Sequence, residues 1–271
     1  MKKICKSSPP NALTAYAARY PSNDWDDFRN HGNSEQAPGT DYKTIKQTLI
    51  ADQGGLCAYC EQDIGQFDAS FQQIEHYHPK SDRSNPALNW ALMWSNVFAV
   101  CTGGSKQVQG EQGFSLPENL SCDAHKNHLL NGKNPAAITA ALAAQINPLN
   151  LPAFPCLFDF DKRTGELQPC ITTCKEVDQQ QALPANTTYT QVQENIRVLN
   201  LNCDRLCVNR RKVLNAYNMA VKKARESGDR NFHQKLAQRW LNKRWPAFFT
   251  TRRILLGQAA EAHLQRISFE G

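Results

Sequence analysis

Four cysteines in the first half of the chain have the spacing of a metal site. Cys57 and Cys60 form a C-x-x-C pair, and Cys101 and Cys122 follow at longer intervals. Two thiolates at the first spacing can bind one ion, and tetrahedral zinc then requires two more ligands. We therefore predict a structural Zn²⁺ site formed by all four thiolates. Cys101 and Cys122 are twenty-one residues apart, so a histidine could replace one of them as a ligand. The candidates are His78, His125 and His128.

A disulfide or redox role fits these cysteines less well. The chain has ten cysteines, but its N-terminus lacks the apolar stretch of a secretory signal peptide. We therefore expect a cytoplasmic protein whose thiols stay reduced. A redox-active C-x-x-C pair normally lies near a βαβ unit, and the sequence around Cys57 does not predict one. A second set of cysteines has a regular spacing, and its ability to bind metal is left open: Cys170, Cys174, Cys203 and Cys207.

The dipeptide Glu75-His76 contains the two groups that phosphodiester hydrolysis requires. Neutral imidazole is the natural base for water near neutral pH. Carboxylates are natural ligands of Mg²⁺ and Mn²⁺. Adjacent residues of a strand point to opposite faces. Glu75 and His76 can therefore serve one site only if the backbone turns near them. Pro79, three residues later, makes such a turn plausible. The pair gains weight because it lies between the two halves of the cysteine set.

The order of these motifs resembles that of the HNH, or ββα-metal, nucleases. Cys57-Ala-Tyr-Cys60 comes first, followed by Ile74-Glu-His-Tyr-His-Pro-Lys80, Asn89-Trp90 and Cys122-Asp-Ala-His-Lys126. More specifically, the chain resembles the PtuB-type HNH nucleases of Septu and retron-associated antiphage systems. Further matching stretches extend over roughly residues 1–215.

The resemblance implies a role for each matching residue. His76 would be the general base, Glu75 would ligate a catalytic Mg²⁺ or Mn²⁺, and Asn89 would fix the loop that presents the base. Asp123 stands where these nucleases usually have asparagine, and a carboxylate is an acceptable ligand for a hard cation there. His125 is the alternative for this last ligand.

The resemblance also implies a function and partners. It implies a metal-dependent endonuclease that acts in antiphage defence on DNA or RNA, tRNA included. PtuB-type proteins work with a PtuA-like ATPase, and retron versions also with a reverse transcriptase and its DNA–RNA product, msDNA. This chain lacks a G-x-x-x-x-G-K-[ST] phosphate loop, so ATP binding would fall to the partner. Two other classes stay open: a non-catalytic zinc-stabilised nucleic-acid-binding or adaptor protein, and a thiol oxidoreductase.

The helices and strands needed to position these residues amount to an α+β fold, which we therefore predict. A ββα-metal nuclease core with a zinc clamp of four cysteines is flanked by an N-terminal arm and a mainly helical, basic C-terminal region. The predicted boundaries are 1–40 for the arm, 41–145 for the nuclease core, 146–190 for a hairpin and linker, and 191–271 for the basic helical region.

Local patterns define several elements within these segments. Residues 41–51 predict a helix capped by Asp41, and the alanine-rich residues 135–144 predict a short helix. The Gln- and Thr-rich residues 175–190 are typical of a linker. Apolar periodicity over 254–264 predicts one last helix.

Basic residues are concentrated near the C-terminus. Residues 197–271 hold sixteen Lys and Arg against five Asp and Glu, whereas residues 1–196 hold fifteen against twenty. Such a helical surface suits nucleic-acid phosphates or an acidic partner. No run of eighteen apolar residues occurs, so we expect no membrane span. Candidates for nucleic-acid contacts are Lys80, Lys126, Arg210 and Arg211. Lys126 is equally well explained as a solvated helix residue.

Overall fold

The computed structural model describes residues 1–32, 37–66, 68–106, 113–133, 140, 143, 145–242 and 244–271. Within these residues the protein combines helices with two small antiparallel sheets, which confirms the mixed α+β class. The helix predicted for residues 135–144 lies almost entirely outside the described residues, as does Lys243 of the basic region.

The regular elements of the described residues are helices and short strands. The described helices are α1 (Asn11–Arg19), α2 (Trp25–Arg29), α3 (Thr40–Asp52), α4 (Cys122–Leu130), α5 (Ile171–Gln180), α6 (Thr187–Val198), α7 (Asp204–Glu226), α8 (Phe232–Trp240), α9 (Phe249–Leu256) and α10 (Gln258–Arg266). The strands are β1 (Gln72–His76), β2 (Val97–Cys101), β3 (Phe158–Phe160) and β4 (Leu167–Pro169).

The first sheet and α4 form a ββα unit. β1 and β2 are antiparallel, with Gln72 opposite Cys101 and His76 opposite Val97. β2 is a continuous apolar run whose five residues are all buried, as expected for a strand covered on both faces. It ends at Cys101, and α4 begins at Cys122. The end of the strand and the start of the helix therefore bring two cysteines to one place.

α3 confirms the helix predicted for residues 41–51 and extends it by one residue at each end. Asp41 does not cap this helix, because it lies inside the first turn and Gly39, at φ +79°, precedes it. Gly54 follows the helix at φ +68°, where an added Cβ would lie 2.1 Å from the ring of Trp245. This close approach requires glycine.

The N-terminal segment predicted as an arm packs its apolar side chains into the core. α1 buries Leu13 and Tyr16, and α2 buries Trp25 and Phe28. Pro10 directly precedes α1, at a position where the missing N–H costs no helical hydrogen bond. Pro10 therefore marks the start of regular structure in this segment.

The predicted hairpin is present, but the predicted linker is largely helical. β3 and β4 pair over only three residues each. α5 and α6 occupy most of residues 175–190. α5 buries Cys174 and Val177, which are three residues apart on one face. Asp178 accepts hydrogen bonds from the N–H and the hydroxyl of Thr188, at 2.9 and 2.6 Å, and so joins the two helices. Only a narrow face of α5 is buried, so most residues of this helix are polar. For that reason its sequence resembles that of a linker.

The C-terminal region consists of helices α7 to α10, in line with its apolar periodicity. The single helix predicted for residues 254–264 is divided into α9 and α10 at Gly257, whose φ is +53°. One buried apolar cluster includes Phe28, Val100, Phe160 and Leu206, and so draws on all four predicted segments. No helix within the described residues is long and apolar enough to span a membrane.

Candidate metal centre and active-site cleft

The four cysteines predicted to bind zinc lie together. The Sγ atoms of Cys57, Cys60, Cys101 and Cys122 are all within 4.8 Å of one another. The Cys60–Cys101 distance is 3.6 Å, and the Cys57–Cys122 and Cys101–Cys122 distances are 3.8 Å. Tetrahedral zinc with Zn–S bonds of about 2.3 Å places its sulfurs about 3.8 Å apart. The cluster therefore has the size of a zinc site with four thiolate ligands.

Thiolates in this buried cluster need a compensating positive charge. Burial raises the pKa of Cys60 and Cys122 well above the usual range, whereas hydrogen bonds from the neighbouring thiols outweigh burial and hold the pKa of Cys57 well below it. Arg205, at the start of α7, provides a positive charge near the cluster. Its guanidinium donates to Gln62 Oε1 at 2.6 Å and to Ser121 Oγ at 2.8 Å. Both acceptors lie within two residues of a cysteine of the cluster.

The histidine alternatives lie outside the cluster. His78 Nε2 lies 2.6 Å from Asp82 Oδ2. His125 Nδ1 lies 2.9 Å from the carbonyl oxygen of Val198, in α6. His128 is exposed on α4. The four-cysteine set is therefore preferred to any set in which a histidine replaces Cys101 or Cys122.

The second set of cysteines does not converge. Within the described residues, no group of three or more possible ligands includes Cys170, Cys174, Cys203 or Cys207. The thiol of Cys174 contacts the carbonyl oxygen of Leu157 at 3.6 Å, and that of Cys207 contacts the carbonyl oxygen of Asn202 at 3.3 Å. Burial raises the pKa of Cys174 and Cys207 to about 11, so these are protonated thiols packed in the core.

His76 ends β1 and has one ring nitrogen anchored. Its Nε2 lies 3.0 Å from the carbonyl oxygen of Ala91. Since a carbonyl only accepts, Nε2 carries the hydrogen and Nδ1 keeps the lone pair. The ring also meets that of Trp25 edge-on, at 4.9 Å between centroids. Burial lowers the pKa of His76 from 6.5 to about 4. The imidazole is therefore neutral at pH 7 and held in one tautomer.

Asn89 holds the loop that anchors His76. Its Oδ1 accepts a hydrogen bond from the N–H of Ala91 at 3.1 Å. Its Nδ2 donates to the carbonyl oxygens of Pro21 and Asn23, at 2.9 and 2.8 Å. The side chain thus joins the loop to the turn between α1 and α2. Asn89 therefore acts on His76 through Ala91.

Replacing Asn89 by alanine should misplace the imidazole without unfolding the protein. If the cleft is a nuclease site, we expect its cleavage rate to fall by about 10- to 100-fold, the usual cost of losing a supporting contact around a site. Single-turnover rates measured with and without the substitution test this expectation. Asn85→Ala is a matched control, because its side chain accepts from the nearby N–H of Ala87 at 3.0 Å, within its own turn. Equal rates for Asn89→Ala and Asn85→Ala would contradict a positioning role.

Glu75 and Asp123 both face the side-chain amine of Lys126. Glu75 and Lys126 form a buried ion pair, and Lys126 Nζ also lies 3.5 Å from Asp123 Oδ1. Lys126 is only 5% exposed, so it is not a solvated helix residue. Burial raises the pKa of Asp123 to about 6, and a hydrogen bond with Asn127 opposes this effect. Asp123 Oδ1 is buried and has no hydrogen-bond partner among the described residues.

The donor chemistry of this group fits a hard divalent cation. Glu75 and Asp123 offer carboxylate oxygens, and the orphaned Oδ1 of Asp123 is an acceptor without a donor among the described residues. His125 does not belong to this group, because its Nδ1 is bonded to Val198 and it lines a different groove, beside α6. The structure therefore disfavours His125 as the alternative ligand.

Glu75, His76 and Lys126 line one open cleft of about 1110 Å³. Its walls include parts of α2, β1 and α4, whereas Asp123 is not among the lining residues. Further basic side chains around the cleft are Arg29, Lys46, Lys80 and Lys106. Neutralised phosphates provide most of the affinity of proteins for nucleic acids, so this surface is suited to a polynucleotide backbone.

The predicted nucleic-acid contacts are placed differently from one another. Lys80 lines the cleft, and Arg211 is exposed on α7. Arg210 was wrongly predicted, because it is only 1% exposed and donates to the carbonyl oxygen of Leu201 at 2.6 Å. The guanidinium of Arg210 thus binds the backbone of the segment that precedes α7. Two neighbouring arginines therefore have opposite environments on one helix.

The sequence patterns missed a residue that supports the cleft. Asn96 is 3% exposed and binds the loop after β1. Its Oδ1 accepts from the N–H of His78 at 2.7 Å, and its Nδ2 donates to the carbonyl oxygens of His78 and Trp90 at 2.9 and 2.8 Å. An asparagine just before an apolar strand carries no distinctive signal, because asparagine is common at such positions.

Comparison with known proteins places these features in a family. A protein of Escherichia coli, named as a candidate HNH endonuclease of retron Ec83, is 40% identical to this chain over 256 residues. The match covers 94% of this chain and 93% of that protein. The chain belongs to the retron-associated HNH endonuclease family. A member from Vibrio cholerae serotype O1 biovar El Tor, named for retron Vc95, is 31% identical over 90 residues.

This second retron-associated HNH protein is matched over 31% of the present chain and 42% of its own length. No family model matches the chain. Membership in the HNH family agrees with the ββα unit of β1, β2 and α4 and with a cysteine cluster able to bind a metal ion.

Proposed function

We propose that this HNH family protein is a metal-dependent endonuclease that hydrolyses phosphodiester bonds in nucleic acids. The observation that carries the proposal is the state of His76. Its imidazole is neutral, bonded through Nε2 to Ala91, and placed in a cleft with Glu75 and several basic side chains. These are the properties of a general base beside a phosphate-binding surface.

The chemistry of His76 follows from its hydrogen bond. Because Nε2 donates to Ala91, Nδ1 is the nitrogen that takes a proton from water. The water oxygen then forms a bond to phosphorus, one ester P–O bond breaks, and the leaving oxygen takes a proton from solvent, while His76 later returns its own proton to solvent. A Mg²⁺ or Mn²⁺ held by Glu75 and Asp123 would supply positive charge to the phosphate and to the leaving oxygen. Lys80 and other basic residues of the cleft would bind flanking phosphates.

The cysteine cluster has a structural role in this proposal. A Zn²⁺ bound by four thiolates has no open position for substrate, unlike a catalytic zinc site. It would tie the C-x-x-C turn to the end of β2 and the start of α4. Since β1 pairs with β2, the same ion would fix the elements that carry Glu75, His76 and Asp123.

The proposed biological setting is antiphage defence. The names of both relatives place them in retrons, which supports a reverse transcriptase and its msDNA as partners. The PtuB-like motif order supports a PtuA-like ATPase as a further partner. The chain has no phosphate-binding loop of its own, so ATP binding would belong to that ATPase. Such partners would restrain a nuclease that is toxic when free.

The direct test uses the full chain, purified after co-expression with a PtuA-like ATPase. The preparation is incubated with plasmid DNA and with total RNA, in Mg²⁺, Mn²⁺ or EDTA. We expect divalent metal to be required for cleavage of one polymer, which also identifies the substrate class. A parallel His76→Ala preparation should lack this activity.

The opposite result would favour another class of protein. If the folded, zinc-loaded complex cleaves neither polymer, the non-catalytic adaptor becomes the better description. A thiol oxidoreductase would be supported by reduction of a disulfide substrate that depends on Cys57. One tightly bound zinc ion per chain would count against that activity, because it would occupy both sulfurs of the C-x-x-C pair.

A further inference from the structure

Lys126 lies between the two carboxylates of the proposed catalytic metal site. Its ammonium forms an ion pair with Glu75 and is 3.5 Å from Asp123 Oδ1. The side chains of Lys126, Glu75 and Asp123 are 6%, 9% and 15% exposed. Charges so far from water interact more strongly than surface charges do. The ammonium is therefore the internal counterion of both carboxylates.

The charges of this group do not balance. Two carboxylates and one ammonium leave one negative charge, and Asp123 Oδ1 has no hydrogen-bond donor among the described residues. A divalent cation in place of the ammonium would make the group neutral. A divalent cation beside the ammonium would instead leave an excess positive charge in a poorly hydrated site, with two cations close together. A divalent metal would therefore compete with the ammonium for the same oxygens.

We propose that Lys126 is a displaceable internal cation. It holds Glu75 and Asp123 together in the metal-free protein and leaves them when a divalent ion binds. This inference rests on the proposed nuclease function and adds a form of regulation to it. Lys126 also lines the cleft, and its four-carbon side chain is flexible. The released ammonium can therefore bind a substrate phosphate.

Displacement of Lys126 makes metal binding depend on nucleic acid. In the free protein the ammonium of Lys126 weakens metal binding. A bound metal would displace the ammonium from Glu75 and Asp123, and no other anion would be there to pair with it. A phosphate in the cleft provides that partner, so nucleic acid raises the affinity for metal. By thermodynamic linkage, metal raises the affinity for nucleic acid by the same factor. A nuclease with this device would hold little catalytic metal until its substrate is present.

The test is a Mn²⁺ titration followed by electron paramagnetic resonance. All proteins carry His76→Ala so that added nucleic acid is not cut. Lys126→Met removes the charge and keeps an unbranched side chain, whereas Lys126→Arg keeps the charge. Lys235→Met is the matched control, because Lys235 pairs with Asp229 at 2.9 Å in an exposed ion pair elsewhere. Each protein is titrated alone and with a short DNA duplex or a short RNA.

We expect Lys126→Met to raise the Mn²⁺ affinity of the free protein by on the order of tenfold or more. Nucleic acid should raise the affinity of the reference protein, of Lys126→Arg and of Lys235→Met, but not that of Lys126→Met. Unchanged or weaker Mn²⁺ binding in Lys126→Met would overturn the proposal. So would the absence of Mn²⁺ binding from every variant, or an affinity in Lys126→Arg equal to that in Lys126→Met. Circular dichroism melting shows which variants are folded.

The readouts separate this proposal from the nuclease proposal. If His76-intact protein cleaves neither polymer but Lys126→Met binds Mn²⁺ more tightly, the nuclease function fails and the displaceable cation stands. If the protein cleaves nucleic acid but Lys126→Met does not change Mn²⁺ affinity, the nuclease function stands and the role of Lys126 is refuted.

Discussion

Replacing His76 by alanine should lower the rate of nucleic-acid cleavage by about 100- to 10,000-fold. This is the usual contribution of a positioned general base. His76 is suited to that role because its Nε2 is held by Ala91 and its pKa of about 4 keeps it neutral at pH 7. Single-turnover rates at saturating Mg²⁺ measure the effect on the chemical step. Zinc content and melting temperature show whether the fold is retained.

The control for this loss is His233→Ala. His233 is exposed on α8 and contacts the hydroxyl of Tyr217 at 3.1 Å, away from the cleft residues. Its removal should leave the cleavage rate within about twofold, as expected for a surface substitution. A His76→Ala protein that cleaves as fast as His233→Ala would refute the assignment of the base.

The lowered pKa of His76 also predicts a pH dependence of stability. The unfolded chain binds a proton at His76 below about pH 6.5, whereas the folded protein does so only below about pH 4. The free energy of unfolding should therefore fall as the pH falls through this range, by a total of about 3 kcal/mol from this residue. His76→Gln should lack this contribution. Urea unfolding of both proteins from pH 7 to pH 4 measures the difference, and parallel curves would contradict the buried neutral histidine.

Replacing Cys122 by serine should have the largest effect on stability. A structural zinc site contributes about 10–16 kcal/mol to the folding of small zinc-binding peptides, which exceeds the total stability of many domains. Loss of one of four thiolate ligands should abolish tight zinc binding. We expect zinc content to fall from one ion per chain towards zero and the melting temperature to fall by roughly 10 °C or more. Elemental analysis and calorimetry measure the two quantities.

Cys5 provides the matched control for the cysteine substitution. Cys5 is exposed, whereas Cys122 is buried with three other sulfurs around it. Cys5→Ser should keep both the zinc and the melting temperature. If Cys122→Ser behaved like Cys5→Ser, the cluster would be a group of packed thiols and the zinc proposal would fail.

The cysteines were predictable from sequence because their spacing follows from metal geometry. Cys57 and Cys60 must lie close together, and the apolar run that ends at Cys101 predicted a buried strand. Proximity of Cys101 to Cys122 was inferred from the requirement for four ligands, and the Sγ–Sγ distance of 3.8 Å agrees with it. Chemistry thus supplied the long-range contact that local patterns cannot show.

The failed predictions concern residues whose environment depends on tertiary packing. Arg210 and Arg211 are indistinguishable in sequence, yet one is buried and the other exposed, since only the face of α7 decides it. The same holds for the interpretation of Lys126 as a solvated helix residue, because its burial depends on where β1 places Glu75. A charged residue is predicted to be solvated unless the sequence indicates a buried partner. The partner of Lys126 is Glu75, which is fifty-one residues away, so local patterns do not reveal it. Residues 175–190 were misread for the same reason.

Arg205 ties α7 to both sides of the cysteine cluster. It is the second residue of α7, and it donates hydrogen bonds to Gln62, near Cys60, and to Ser121, beside Cys122. A fragment that stopped before α7 would leave Gln62 and Ser121 without these bonds and expose the core that the helices cover. We therefore expect a chimera that exchanges this tail between relatives to fold only where it keeps an arginine at this position.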